Sequence, residues 1–255
     1  MNSAGHNRID LLGVNVSEVT IPLAAEIIDG WIQSRYKTYV CVAPVSTLVD
    51  CQKNEDYRAV INDAGMVTPD GMPVVWLGKS AGSRMIERTY GPDLMRTLFK
   101  TGTQKNYRHF FYGGKPETLE LLERKLKDQF PQSVIAGKYS PAFTSFAEKA
   151  SQGTMDAINA AGPDILWVGL GSPKQDFWMR MHRPFLDVPV MVGVGAAFDF
   201  LSGVKPQAPV WMQKSGLEWM FRLLSEPGRL WKRYLIGNTQ FLYYVGRDGI
   251  KRLFK

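Results

Sequence analysis

The chain has 255 residues, 45% of them apolar and 22% charged. That is long enough to bury a full core, and the composition excludes disorder, collagen, coiled coil and disulfide scaffold as whole-chain readings. Two cysteines, Cys41 and Cys51, and three scattered histidines, His6, His109 and His182, match no zinc spacing and suit a reducing compartment. The formal charge is +7, and residues 205–255 alone hold ten basic and three acidic residues. The whole excess therefore lies in the last fifth of the chain, with nine of the thirty aromatic residues. A basic, aromatic tail on a neutral body points to an anionic partner: phosphate, nucleic acid or an anionic membrane.

The N-terminus is polar, without the apolar stretch of a signal peptide. The longest apolar run, Val188 to Phe198, contains a proline and two glycines and falls short of the ~20 residues that span a bilayer. A cytoplasmic protein with at most peripheral membrane contact is expected.

In chain order, Leu11 to Val16 reads as a strand and Pro22 to Gln33 as a helix. Tyr39 to Val42 is a strand, followed by helical stretches up to Ala64. A short strand at Met66 to Thr68 precedes helices from about Pro73 and over Pro92 to Lys100. Arg108 to Tyr112 reads as a strand, Pro116 to Gln129 as a helix and Ser133 to Ile135 as a strand. Phe146 to Ala161 is a helix, and Ile165 to Val168 and Val190 to Val194 are strands. This alternation predicts a parallel sheet covered on both faces. The prolines of Lys205-Pro-Gln-Ala-Pro209 mark a boundary.

Several clusters follow strands directly, where open α/β sheets bind ligands. They are Thr68-Pro-Asp-Gly71, Gly113-Gly114-Lys115-Pro116, Gly169-Leu-Gly-Ser-Pro-Lys-Gln175 and Gly193-Val-Gly-Ala-Ala-Phe-Asp199. Glycines there let backbone N–H groups approach a phosphate, although βα turns need glycines in any case. Gly193-x-Gly195 opens like a dinucleotide fingerprint, but Phe198 occupies the third glycine position. No P-loop and no Asp-x-Asp is present, so the charge of a bound diphosphate would have to be met by protein cations and N–H groups.

Asp70, between Pro69 and Gly71 after a strand, suits a general base; an Asx-turn or a helix cap is the bland alternative. Lys174 and Gln175, at a helix start marked by Pro173, would face an anion or sugar. Asp199 would reach a ribose or base, or simply cap a turn. In the tail, Arg222, Arg229, Lys232 and Arg233 cluster around the turn signal Glu226-Pro227-Gly228. Trp211, Ser215, Trp219 and Arg222 fall on one helical face.

Together these strings, with Glu87-Arg-Thr-Tyr-Gly-Pro-Asp-Leu94, Phe111-Tyr-Gly-Gly114, Gly216-Leu-Glu-Trp-Met-Phe-Arg-Leu223 and Glu226-Pro-x-Arg229, resemble the WecG/TagA/CpsF glycosyltransferases, glycosyltransferase family 26. The resemblance runs from about Leu11 to Gln240. It implies an α/β, Rossmann-like, mostly parallel sheet in residues 1–204, with a basic helical appendage in residues 205–255. It further implies inverting, metal-independent transfer from a UDP-sugar to a polyprenyl-diphosphate-linked saccharide in bacterial surface-polymer synthesis, on the cytoplasmic face of the inner membrane. No cofactor and no nucleic acid are implied, and a homo-oligomer is left open.

By the same resemblance Asp70 is the catalytic aspartate and Arg88 lies near the acceptor. The UDP-sugar falls to Gly113, Gly114, Gly169, Gly171, Lys174, Gln175, Gly193, Gly195, Phe198 and Asp199. Arg222, Arg229 and Arg233 are the arginines of an appendage that closes over the diphosphate and touches the membrane. The family often has Thr-x-Asn where this chain has Val42 and Pro44. Ser46 and Thr47 are the nearby polar candidates, and the donor sugar stays open between an N-acetylmannosamine type, a uronic acid and glucose. The alternatives are a nucleotide-dependent oxidoreductase, disfavoured by the broken fingerprint, and an RNA-binding module built on the tail, which leaves the strand-end clusters unexplained.

Overall fold

The computed structural model describes residues 5–142 and 150–253; within the last helix nothing is said of the side chains of residues 229, 233 and 250–253. The chain opens on β1 (Arg8–Leu11) and β2 (Val14–Ser17), an antiparallel hairpin where a single strand over Leu11 to Val16 was expected. Leu12 and Gly13 form its turn at φ 58° and 77°, the left-handed geometry that two-residue hairpins require. The Gly13 N–H donates to Asp10 Oδ1 (3.1 Å). A leucine in that conformation gives no turn signal, so the apolar pattern runs through it unbroken.

Then α1 (Ile21–Gln33) starts at Thr20, whose Oγ1 accepts the Leu23 N–H, and leads to β3 (Thr38–Ala43). The helical stretch after it is two helices, α2 (Val45–Lys53) and α3 (Glu55–Asp63), divided at Asn54, whose side chain caps the second. There follow β4 (Met66–Pro69), α4 (Met72–Ser80), α5 (Gly91–Lys105), β5 (Arg108–Gly113), α6 (Pro116–Gln129) and β6 (Val134–Tyr139). Next are α7 (Gln152–Ala161), β7 (Ile165–Gly169), α8 (Lys174–His182), β8 (Val190–Gly193) and α9 (Ala197–Ser202). β6 runs four residues past its expected end, with a register shift against His109 and Phe110 of β5. The first part of the helix expected over Phe146 to Ala161 lies outside the described residues; α7 is its described part.

Six strands form one parallel sheet in the order β4-β3-β8-β7-β5-β6. Alternate side chains serve two cores. Val40, Phe111, Trp167 and Val192 pack with α1, α5, α6 and α9, while Tyr39, Phe110, Leu166 and Met191 pack with α2, α3, α7 and α8. His109 and His182 are buried with these cores. His109 stacks on Phe99 at 3.8 Å and its Nδ1 accepts the Trp167 Nε1–H (3.1 Å). Burial pushes its pKa down to about 3, which keeps it neutral. His182 is held at both nitrogens, by Trp178 O (2.7 Å) and the Ala150 N–H (2.8 Å). Cys41 and Cys51 are buried free thiols.

The order of the sheet decides where a ligand can enter. From β5 the chain crosses through α6 to β6 on one side. From β7, the neighbour of β5, it crosses through α8 to β8 on the other. Oppositely directed connections leave a crevice above the carboxyl ends of that strand pair, which are Gly113 and Gly169, directly paired in register.

Beyond Lys205 three helices close the chain: α10 (Val210–Lys214), α11 (Glu218–Ser225) and α12 (Pro227–Leu253). Trp211, Ser215, Trp219 and Arg222 do not share one helix. α10 stops at Lys214, and Gly216 turns the chain at φ 75° before α11 begins. Glu226-Pro227-Gly228 does mark a break, and its proline then starts a helix of 27 residues. α12 lies along α2 through Phe241, Tyr244 and Val245, with Lys53 Nζ donating to Gln240 Oε1 (2.7 Å). Among the described residues no helix is long and apolar enough to cross a membrane.

Candidate active site

The carboxyl ends of β3, β4, β5, β7 and β8 open into a cleft of about 820 Å³. Glycine is required at its floor. A Cβ at Gly113 (φ 110°) would come within 2.7 Å of the Gly169 carbonyl, and one at Gly169 would strike the Phe198 ring at 2.5 Å. Gly114, Gly169, Gly171, Lys174, Gln175, Gly195, Phe198 and Asp199 all line this cleft. Gly113 and Gly193 stand just beneath it at the strand ends. Phe198 is only 2% exposed and its ring meets Phe111 edge-on at 5.7 Å, so its main work is packing beneath the glycines.

Gln175 does more than line the wall. Its Oε1 accepts the N–H groups of Gly171 (3.1 Å) and Gly195 (2.9 Å), and its Nε2 donates to Ser172 Oγ (3.2 Å). One side chain thus ties the loop after β7 to the loop after β8. Its neighbour Asp176, which the sequence reading did not single out, is 1% exposed and bonded to the Tyr57 hydroxyl (2.8 Å). Burial raises its pKa to about 6, against the opposing pull of hydrogen bonds from Tyr57, Ser172, Cys41 and Gln175. An acid in the first turn of a helix looks ordinary in sequence; only the packing of α8 on α3 and β3 reveals its burial.

Asp70 follows β4, its N–H extending the ladder to Ala43 O (3.1 Å). Gly71, at φ 92°, turns the chain there into α4. Asp70 borders the cleft and also a second cavity, a groove of about 530 Å³ between α2, α4 and the C-terminal helices. The groove is mostly apolar, with Val45, Met72, Trp76, Leu77, Trp219 and Phe241 among its walls. Among the described residues only Pro44, Asp70 and Arg222 border both spaces. The Arg222 guanidinium lies 5.5 Å from the Phe200 ring centre. Burial works against its charge, but Tyr234, Tyr90, Asp70 and Glu218 outweigh that and hold its pKa above the usual value.

Other candidates are placed differently. Ser46 lines the groove, whereas Thr47 is 1% exposed and borders neither cavity. Arg88 borders neither cavity as well. It is paired with Glu218 (2.6 Å), donates to Gln213 Oε1 (3.2 Å) and lies 4.0 Å over the Tyr90 ring. Asp199 is paired with Lys205 (3.1 Å). The side chains of Arg229 and Arg233 lie outside the described residues.

The model of the family described as "Glycosyl transferase WecG/TagA/CpsF family" matches residues 9–254. The chain belongs to this glycosyltransferase family. Among the curated relatives of this WecG/TagA/CpsF protein, two are named N-acetylglucosaminyldiphosphoundecaprenol N-acetyl-beta-D-mannosaminyltransferase. That of Bacillus spizizenii (strain ATCC 23059 / NRRL B-14472 / W23) is 36% identical over 73% of this chain and 70% of its own length. That of Bacillus subtilis (strain 168) is 32% identical over 72% and 69%. The WecG/TagA/CpsF match extends through α10, α11 and α12, so the helices that build the groove are part of the family unit.

Proposed function

We propose that this glycosyltransferase moves a sugar from a UDP-sugar in the cleft to a saccharide carried on a polyprenyl diphosphate, whose apolar chain lies in the groove. One observation carries the reading: Asp70 and Arg222 stand on the wall between a glycine-floored polar cleft and an apolar groove. Transfer between a soluble nucleotide sugar and a lipid-linked acceptor needs two such spaces meeting at one point. The relatives' names favour N-acetylmannosamine as the sugar and N-acetylglucosaminyl diphosphate lipid as the acceptor.

Asp70 takes the proton of the acceptor hydroxyl as that oxygen attacks the anomeric carbon. A single displacement on an α-linked UDP-sugar inverts the centre and gives a β-linked product. The charge developing on the departing UDP falls to Arg222, Lys174 and Lys205 on the cleft wall and to the N–H groups of the glycine loops. Arginine's planar fork suits a diphosphate. This chemistry calls for no divalent metal. Among the described residues no three His, Cys, Asp or Glu side chains stand together as a metal-binding group.

The C-terminal segment also contacts an anionic membrane surface. Val210, Trp211, Leu224, Leu235, Leu242 and Tyr243 are exposed on the segment that carries all the excess positive charge. Rings and aliphatic chains beside lysines and arginines suit the headgroup level. The test is turnover with UDP-N-acetylmannosamine and a short-chain N-acetylglucosaminyl diphosphate lipid. A β-linked lipid disaccharide with release of UDP is the expected product. Absence of product with this and other UDP-sugars, under conditions where UDP binds, would overturn the reading.

A further inference from the structure

Helix α11 has no buried residue, yet it delivers Arg222 to the wall beside Asp70. It packs on α12, with Trp219 beside Tyr234, but its apolar side chains are only partly covered, so polar contacts at its ends share in holding it. Glu218 and Arg222, four residues apart, share one side of the helix, and Glu226 is the residue that caps its C-terminal end. The two acids that flank Arg222 each reach back to the body. Glu218 Oε2 accepts from Arg88 Nη2 at 2.6 Å, and both side chains are under 20% exposed. Glu226 Oε2 lies 3.2 Å from Lys205 Nζ, which also holds Asp199 at 3.1 Å. Arg88 is itself fixed by Gln213 and by the Tyr90 ring, so the first clip closes on a rigid post.

We propose that Glu218 and Glu226 are positioning residues of the transferase, clipping the two ends of α11 to Arg88 and Lys205 so that Arg222 is set against Asp70. The proposal rests on the transfer reading above and assigns Arg88 a new task. Arg88 acts through Glu218, as the anchor of the first clip, and its own contact with the acceptor is not needed. The arrangement also explains why the ion pair at Arg88 is the more sheltered of the two. It stands where the groove wall meets α10 and α11, whereas the Lys205 pair stands at the open rim of the cleft. Small errors in placing a group beside a reacting centre are costly, about 10²-fold for a displacement near 1 Å. Clips that remove such freedom before substrate arrives spare that loss.

The test is a double-mutant cycle on the full chain, read by kinetics and by hydrogen exchange. Glu218→Ala and Arg88→Ala should each lower kcat by about 10-fold to 10²-fold with the donor KM within about twofold. The double variant should be no worse than either single one, because both remove the same clip. Glu226→Ala should lower kcat in the same manner, and Glu218→Gln, which keeps a hydrogen bond to Arg88, should fall between wild type and Glu218→Ala. Without any substrate, amide exchange should quicken across α11 in Glu218→Ala and Glu226→Ala while β3, β7 and β8 stay protected. Wild-type kcat in Glu218→Ala, multiplied losses in the double variant, or unchanged exchange in α11 would each overturn the proposal. The exchange readout needs no turnover, so failure of the clips is distinguishable from failure of the transfer reading itself.

Discussion

The Gln175 side chain is bonded to the backbone of Gly195, its Oε1 accepting that N–H at 2.9 Å across 20 residues of sequence. The same oxygen holds the N–H of Gly171. The loop after β7 and the loop after β8 are thereby locked to each other by a single amide. Gln175→Ala leaves two sheltered N–H groups without a partner, a loss of about 1–3 kcal/mol. Urea unfolding should show that loss, and UDP affinity should fall with it, since the loops no longer hold a shared shape.

A second prediction concerns pH. Asp176 is fully enclosed and its pKa of about 6 lies above the ordinary carboxylate value of 3.8. The folded state therefore holds a proton there that the unfolded chain has already released. Stability from this group is complete below pH ~4 and is lost as pH rises through 6, amounting at most to roughly 3 kcal/mol. Asp176→Asn cannot ionise and keeps a partner for the Tyr57 hydroxyl. Its melting temperature should not show the decline between pH 4 and 6.5 that this carboxyl adds in wild type. Identical pH profiles for the two proteins would contradict the assignment.

The groove makes a third prediction. Gly237 of α12 lines it, and a Cβ there would meet nothing within 4 Å. Gly237→Trp should fit the fold and occupy space meant for the lipid chain. The KM for a lipid-linked acceptor should rise about tenfold, equal to ~1.4 kcal/mol. Affinity for UDP, measured by calorimetry, should be unchanged because the cleft is untouched.

Metal dependence gives a fourth. Turnover in EDTA should stay within about twofold of the untreated rate, whereas loss of a catalytic Lewis acid forfeits several kcal/mol. Inactivation by EDTA with rescue by Mg²⁺ or Mn²⁺ would refute a transfer supported by Lys174, Lys205, Arg222 and backbone N–H groups without a metal.

Local chemistry made much of this legible in sequence. The alternation of apolar β-rich runs and helical periods shows the parallel sheet, because the runs of β3, β4, β7 and β8 are buried on both faces. The glycine clusters mark the cleft, because a Cβ at Gly113 or Gly169 would collide with the neighbouring strand end or with Phe198. What stayed hidden depends on contacts across long stretches of chain. Arg88 and Glu218 are 130 residues apart, and no spacing rule pairs them. Gln175 reads as a ligand-facing residue at a helix start, and its bond to Gly195 exists only because β7 and β8 are neighbours. The groove was likewise invisible. Its walls come from α2, α4 and three C-terminal helices, and the helical spacing of Trp211, Ser215, Trp219 and Arg222 hides the Gly216 turn that separates α10 from α11.

The most direct test of the whole account is transfer by Asp70→Asn, measured in a single turnover with UDP-sugar and lipid-linked acceptor at saturating concentrations. The substitution keeps the shape of the wall between cleft and groove and removes the proton acceptor. The rate should fall by about 10²–10⁴-fold while UDP binds as in wild type. A near-normal rate in Asp70→Asn would contradict the central claim that this aspartate is the base at the junction of the two cavities.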